Sequence, residues 1–201
     1  MKKSLLLLFF LLPLLALPAM AQEARQDISV SGTNLVSLSP SGNAVYLHST
    51  PGYGGLISYR YDLTPHGALE INYQYDQNVE HFIFPSGNYH IHTRVEEFSG
   101  AYVYSFNFKN FNPFLEAGPA GLLFSPIDDA KTNTFGVSRS TNVGIMYGGG
   151  IAYEISPSFD IRAELRGLVT KTPTFNYQNN DFRTGVYYNI FNPVLGIAYH
   201  F

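Results

Sequence analysis

Cysteine is absent from the 201 residues, and so is tryptophan. Without cysteine the chain has no disulfide framework and no thiolate metal centre, so its stability must come from another source. Cationic residues are few: 12 Lys and Arg against 15 Asp and Glu. An acidic balance without a basic patch excludes nucleic acid as a natural partner. Beyond residue 21 the sequence also lacks any apolar run of the roughly 20 residues that a membrane-spanning helix needs.

The one long apolar run lies at the start. Lys2 and Lys3 precede a leucine-rich stretch at 5–17, and Ala19-Met20-Ala21 follows as a small-x-small cleavage site. That order is a secretory signal peptide over 1–21, with the mature chain expected to begin at Gln22. Residues 22–201 are enough for one domain. Removing Lys2 and Lys3 leaves 10 cationic residues against 15 anionic ones, a net charge of −5.

What the chain has in abundance is Tyr, at 15, and Phe, at 16, and it spends them at every second position. In 53–63, Tyr53, Ile57, Tyr59, Tyr61 and Leu63 share one face, with Leu56, Ser58, Arg60 and Asp62 on the other. In 68–76, Leu69, Ile71, Tyr73 and Tyr75 oppose Glu70, Asn72, Gln74 and Asp76. The same pattern recurs in 98–108 and 143–155. It is cleanest in 159–169, where Phe159, Ile161, Ala163, Leu165 and Val169 oppose Asp160, Arg162, Glu164, Arg166 and Leu168. Period-2 segments of about ten residues are what a lipid-facing barrel with a polar lumen requires. A soluble β-protein also alternates, but it turns its charges to water. Here the charged face is mixed with Gly, Ala and Ser, which suits a narrow interior, and aromatics gather near strand ends as an interfacial girdle would. With a secretory signal and no spanning helix, only a closed barrel can satisfy every backbone group in lipid.

Connections set the count. Thr64-Pro65-His66-Gly67, Ser156-Pro157-Ser158 and 107–113 read as short turns, whereas 77–92, 125–141 and 170–183 read as long polar loops. Short turns belong on the periplasmic side and long loops outside. The strands at 53–63, 98–108, 143–155 and about 192–201 therefore run inward. Parity then demands an outward strand at 27–39, with Ile28 and Val30 opposite Ser29 and Ser31, followed by a loop at 40–51. A fifth strand at 113–124 contains Pro119, an irregularity because proline cannot donate to the ladder. The expected fold is all-β, an antiparallel up-and-down membrane barrel of about eight strands in the outer membrane of a Gram-negative-type bacterium.

The stretches Asn112-Pro113-Phe114-Leu115-Glu116-Ala117-Gly118 and Ile161-Arg162-Ala163-Glu164-Leu165-Arg166-Gly167, with the terminal Gly196-Ile197-Ala198-Tyr199-His200-Phe201, resemble small outer-membrane β-barrel proteins similar to the transmembrane domain of outer membrane protein A. The resemblance spans nearly the whole mature chain and concerns fold rather than activity. Outer membrane protein A carries a periplasmic peptidoglycan-binding domain after its barrel; this chain stops at the barrel, so cell-wall anchoring is not implied. The terminal aromatics, Tyr199 and Phe201, resemble the signal read by the barrel-assembly machinery.

Candidate functional residues are few. Arg60, Glu70, Glu116, Arg162, Glu164 and Arg166 all fall on inner faces and could form an ion-pair network filling an eight-stranded interior, with Glu70 and Glu116 the expected partners of Arg162. A gated pore would use the same residues. His90-x-His92 with nearby His81 has ligand-type spacing, but two histidines in an external loop read as surface residues, and no metal or cofactor is assigned. His48 and Ser49 are adjacent, so the His-x-Ser motif of barrel lipid A deacylases is missing and no catalytic residues are assigned. Gly148-Gly149-Gly150 reads as a closely packed or kinked strand rather than a phosphate loop, since no helix follows it. The expected role is structural or surface-interactive, with the lipid bilayer and lipopolysaccharide as surroundings and no identified surface ligand. A narrow channel is the alternative, and a lipid-modifying enzyme the third.

Overall fold

The computed structural model of the chain describes residues 25–85, 87–133, 136–177, 180–182 and 184–201. The expected signal peptide lies outside the described residues. Twelve strands follow in order: β1 (Gln26–Ser37), β2 (Ser41–Gly42), β3 (Val45–Ser49), β4 (Gly52–Asp62), β5 (Gly67–Phe84), β6 (Gly87–Ser105), β7 (Phe111–Ile127), β8 (Ser140–Ser156), β9 (Phe159–Lys171), β10 (Phe175–Tyr177), β11 (Asn180–Phe182) and β12 (Tyr187–His200).

Eight of them form a closed antiparallel ring. β1 pairs with β4 on one side, where Val30 faces Ile57, and with β12 on the other, where Val30 faces Ile197. The remaining long strands pair with their neighbours in sequence, β9 passing to β12 over the β10–β11 hairpin. Closure removes the sheet edges that would otherwise leave backbone groups unpaired in lipid.

The alternation is realised with the apolar face outward. Val30, Ile71, Ile145 and Leu195 are 63–65 % exposed, whereas Arg166 on the inner face is 1 % exposed. A soluble barrel would show the reverse, so burial itself identifies lipid as the outer solvent. Tyr147 lays its ring across Gly167 on that outer surface, filling a position with no side chain of its own.

Four expectations are corrected. The stretch 170–183, read as a loop, holds the end of β9 and the β10–β11 hairpin. The stretch 77–92 is not a loop: β5 continues to Phe84 and β6 starts at Gly87, so the two strands form an 18- and 19-residue hairpin that rises beyond the membrane band. The stretch 40–51 contains β2 and β3, and β3 adds to this extension by pairing Leu47 with Phe82. The last strand begins at Tyr187 rather than near 192. In each case the polar composition suggested a loop, while cross-strand pairing kept the segment extended. Leu47, Phe82, Phe124, Met146, Phe175 and Ile190 belong to one buried apolar cluster that fills the extracellular part of the interior.

Pro119 has the expected consequence. The β6–β7 ladder is interrupted between the pairs Ser99–Ala120 and Tyr102–Ala117, opposite Gly118 and Pro119. Proline offers no N–H there, and at Gly118 an added Cβ would overlap the Gly100 carbonyl oxygen.

Candidate functional site

The inner faces of β1, β4, β5, β6, β7, β9 and β12 carry the charged residues into one interior. Arg60 on β4 and Glu70 on β5 face each other in register and form an ion pair at 2.7 Å. The Arg60 guanidinium also lies over the Phe114 ring, 4.9 Å from its centre. Arg166 pairs with Glu97 at 2.9 Å and approaches Glu116 at 3.8 Å, with the Ser99 hydroxyl 3.1 Å from the same guanidinium.

Arg162 takes different partners from those expected. It pairs with Asp27 at 2.9 Å and Asp160 at 3.2 Å, not with Glu70 or Glu116. Asp160 in turn meets His200 at 2.9 Å. Arg162 stands near the periplasmic rim, where β1 begins and β12 ends, whereas Glu70 is claimed by Arg60 across the ladder. Glu164 is half-buried on the same face and has no ion pair among the described residues. The candidate set is thus brought into one interior as neighbouring ion-pair groups, with Glu164 in no ion pair of the described residues but within electrostatic reach of Arg166 and Glu116.

Four participants were left out of the candidate charge set: Asp27, Glu97, Asp160 and His200. Their signal was parity. Asp27 shares a face with Ser29 and Ser31, Glu97 with Ser99, Asp160 with Arg162, and His200 with Ala198, all inward. Glu97 sat one residue outside the expected strand, which hid it.

Gly148 and Gly150 make room for these groups. An added Cβ at Gly148 would stand 2.6 Å from a Glu116 carboxylate oxygen, and one at Gly150 would stand 2.8 Å from the Phe114 ring. The glycine run is therefore the wall against which buried side chains rest, as its strand position suggested.

Along β5 the polar lining continues above the ion pairs. Asn72, Gln74, Asp76, Asn78 and Glu80 are all buried on the inner face. The Thr33 hydroxyl donates to Asp76 at 2.6 Å, and Glu80 accepts from Ser49 and from Asn78. At the periplasmic rim, a cavity of about 350 Å³ is lined by Asp27, Arg60, Asp62, Asp160, Arg162 and His200, among others.

His48 and Ser49 point to opposite faces of β3. Ser49 is buried against Glu80, while the His48 ring is exposed with its Nδ1 3.0 Å from the Ser39 hydroxyl. They cannot act on one substrate atom. His92 meets Asp129 at 2.7 Å, and the His90 ring lies tilted against that of His81, so the two histidines of His90-x-His92 serve different neighbours. Among the described residues no group of three His, Asp or Glu side chains stands ready to hold a metal ion.

Among curated proteins none matches the chain. Solved structures with the same architecture include the outer membrane protein OprG of Pseudomonas aeruginosa, with a TM-score of 0.62 at 11 % identity, covering 90 % of this chain and 97 % of that one. Neisserial surface protein A, NspA, gives 0.60 at 16 % identity, over 88 % and 97 % of the two chains. Ail of Yersinia pestis, solved in complex with the heparin analogue sucrose octasulfate, gives 0.55 at 13 % identity, over 90 % and 100 %. At these identities the likeness is one of fold. The model of the outer membrane protein beta-barrel domain matches residues 7–189. With most of the chain inside that match and a ring whose apolar side faces outward, the chain belongs to the outer-membrane β-barrel family and resides in the bacterial outer membrane.

Proposed function

We propose that this protein is a non-conducting scaffold, which closes its own lumen and holds the β3–β5–β6 extension and its neighbouring loops at the cell surface. The observation that carries this reading is the filling of the interior. Arg60, Arg162 and Arg166 are each paired with buried carboxylates, and the apolar cluster around Phe82 and Phe124 occupies the space above. An eight-stranded ring is wide enough for side chains and too narrow to leave a channel beside them. Planar-bilayer recordings on the refolded mature chain test it: the expected result is no steady conductance, and a stable open level would overturn the scaffold reading.

The narrow-channel reading is favoured by the polar lining of β5, which runs from Glu70 to Glu80 past the apolar cluster, and by the cavity at the periplasmic rim. Steady conductance that responds to Asp76→Asn or Glu80→Gln would speak for it. The enzyme reading has lost its one adjacent His–Ser pair to opposite faces of β3; absence of deacylation and acyl transfer on lipopolysaccharide is the expected outcome.

Insertion in this reading depends on the barrel-assembly machinery, with lipopolysaccharide as the outer-leaflet surroundings. Tyr199 and Phe201 are the proposed assembly signal. Their rings stack with centres 6.0 Å apart, and the Phe201 backbone N–H donates to the Gln26 carbonyl at 2.9 Å, beside the seam where β12 meets β1. Deleting Phe201 is expected to lower the amount of folded barrel in the outer membrane several-fold while leaving signal cleavage intact. Fractionation, with gels run before and after boiling, measures both; unchanged levels of folded barrel would remove Phe201 from the signal.

A further inference from the structure

The lumen reading leaves one cluster of chemistry unused, and it lies outside the barrel. His48, His81 and His90 occupy one row across three strands, paired in register as His48 with His81 and His81 with His90. They stand on the face opposite Leu47, Phe82 and Ile91, which are all 0 % exposed in the core. The three imidazoles therefore point away from the interior, on the extension that rises above the membrane band. The His81 and His90 ring centres are 4.3 Å apart, and those of His48 and His81 are 6.1 Å apart.

We infer that this row is a surface site for a borderline divalent transition metal such as Cu²⁺, Ni²⁺ or Zn²⁺, with His81 and His90 as the clamp and His48 as the third ligand. Two imidazoles bound through nitrogen at about 2.0–2.1 Å to one tetrahedral ion bring their ring centres to about 5 Å. The two observed separations fall on either side of that value. As placed, no three of the described His, Asp or Glu side chains are arranged to hold a metal ion, so ligation requires rotation of the three rings, which their outward, partly exposed positions permit.

His48 is prepared for the part by its partner. The hydrogen bond between its Nδ1 and the Ser39 hydroxyl, at 3.0 Å, orients the ring and leaves Nε2 as the nitrogen that faces a ligand. Fixing one ring nitrogen by a hydrogen bond is how ligating histidines are commonly oriented. Imidazole ligands suit Cu²⁺, Ni²⁺ and Zn²⁺ and not the hard cations Ca²⁺ and Mg²⁺, and Cu²⁺ should bind tightest of the three. The site is independent of whether the lumen conducts.

The test uses untagged protein extracted from outer membranes into detergent, titrated calorimetrically with Cu²⁺, Ni²⁺, Zn²⁺, Ca²⁺ and Mg²⁺ in turn. The expected result is one Cu²⁺ per chain with a dissociation constant at or below about 100 µM, weaker Ni²⁺ and Zn²⁺ binding, and no response to Ca²⁺ or Mg²⁺. The electron paramagnetic resonance spectrum of the Cu²⁺ form should carry nitrogen hyperfine structure from imidazole. His81→Ala and His90→Ala should each weaken Cu²⁺ at least tenfold and His48→Ala less, with His66→Ala at the periplasmic turn without effect. His81→Asn and His90→Asn repeat the test with side chains suited to a polar surface, and migration before and after boiling confirms that each variant is folded. Unchanged Cu²⁺ affinity in the folded His81/His90 double variant, or equal loss in His66→Ala, would overturn the site, as would stoichiometric binding of Ca²⁺ with the same affinity.

Discussion

Replacing Arg162 with alanine should destabilise the folded barrel by about 3–5 kcal/mol, the usual cost of removing one partner from a buried charge cluster. Arg162 is 4 % exposed, and its two carboxylates, Asp27 and Asp160, are 2 % and 5 % exposed. Once the guanidinium is gone, the two buried carboxylates are left with His200 beside Asp160 and with Arg60 across the ladder from Asp27. The triple variant Arg162→Ala, Asp27→Asn, Asp160→Asn should recover much of the loss, because neutral amides do not repel. Unfolding in urea followed by far-ultraviolet circular dichroism measures this in a protein without tryptophan. Cycles of Arg162 with Asp27 and with Asp160 should show coupling of about 0.5–3 kcal/mol, and those with Glu70 and Glu116 less. Coupling to Glu70 as large as that to Asp27 would mean that the clusters are not separate. A charged neighbour left in water would give no such cost, so a loss below about 1 kcal/mol would indicate a hydrated lumen and advance the channel reading.

The second expected result concerns the outer face and depends on depth. Leu165 projects outward from the middle of β9 and is 53 % exposed. Leu165→Arg should cost about 2–4 kcal/mol where the position lies near the bilayer midplane. Leu63, 51 % exposed but next to the turn at Thr64, is near the interface, and Leu63→Arg should cost about 0–1 kcal/mol. Equilibrium folding into phosphatidylcholine vesicles compares the two. Equal costs would mean that the outer face does not see a graded bilayer. The inward neighbour Leu168 is no neutral control: it is 2 % exposed within the apolar cluster, so Leu168→Ala should cost about 2–5 kcal/mol by lost packing rather than by charge in lipid.

The eight spanning strands, their directions and the face each turns to lipid could all be read from residue order. Period-2 alternation is a local property: whether Ile161 or Arg162 faces outward follows from the pleat and from which solvent surrounds the sheet. Arg60, Glu70, Glu116, Arg162 and Arg166 were legible as interior residues for the same reason. The limits of the strands were less legible, because a paired strand outside the membrane needs no apolar outer face. Gln77, His81 and His90 therefore looked like loop while lying in β5 and β6.

Partner choice inside the lumen and the histidine row outside it were decided by tertiary structure alone. Parity says that a charge is inside but not at what height, and height depends on the stagger between strands accumulated around the whole ring. That stagger sets Arg60 against Glu70, carries Arg162 to Asp27, and brings Arg166 within reach of Glu97, 69 residues earlier in the chain, whereas Asp160 meets Arg162 from two positions away on the same strand. Likewise His48, His81 and His90 are spread over 43 positions of sequence, and only the register of β3 on β5 and β5 on β6 makes them neighbours. The chain by itself determined that it would form a barrel with its charges inside; closure of the ring determined which charges meet, since each pairing depends on the register of every strand between the partners.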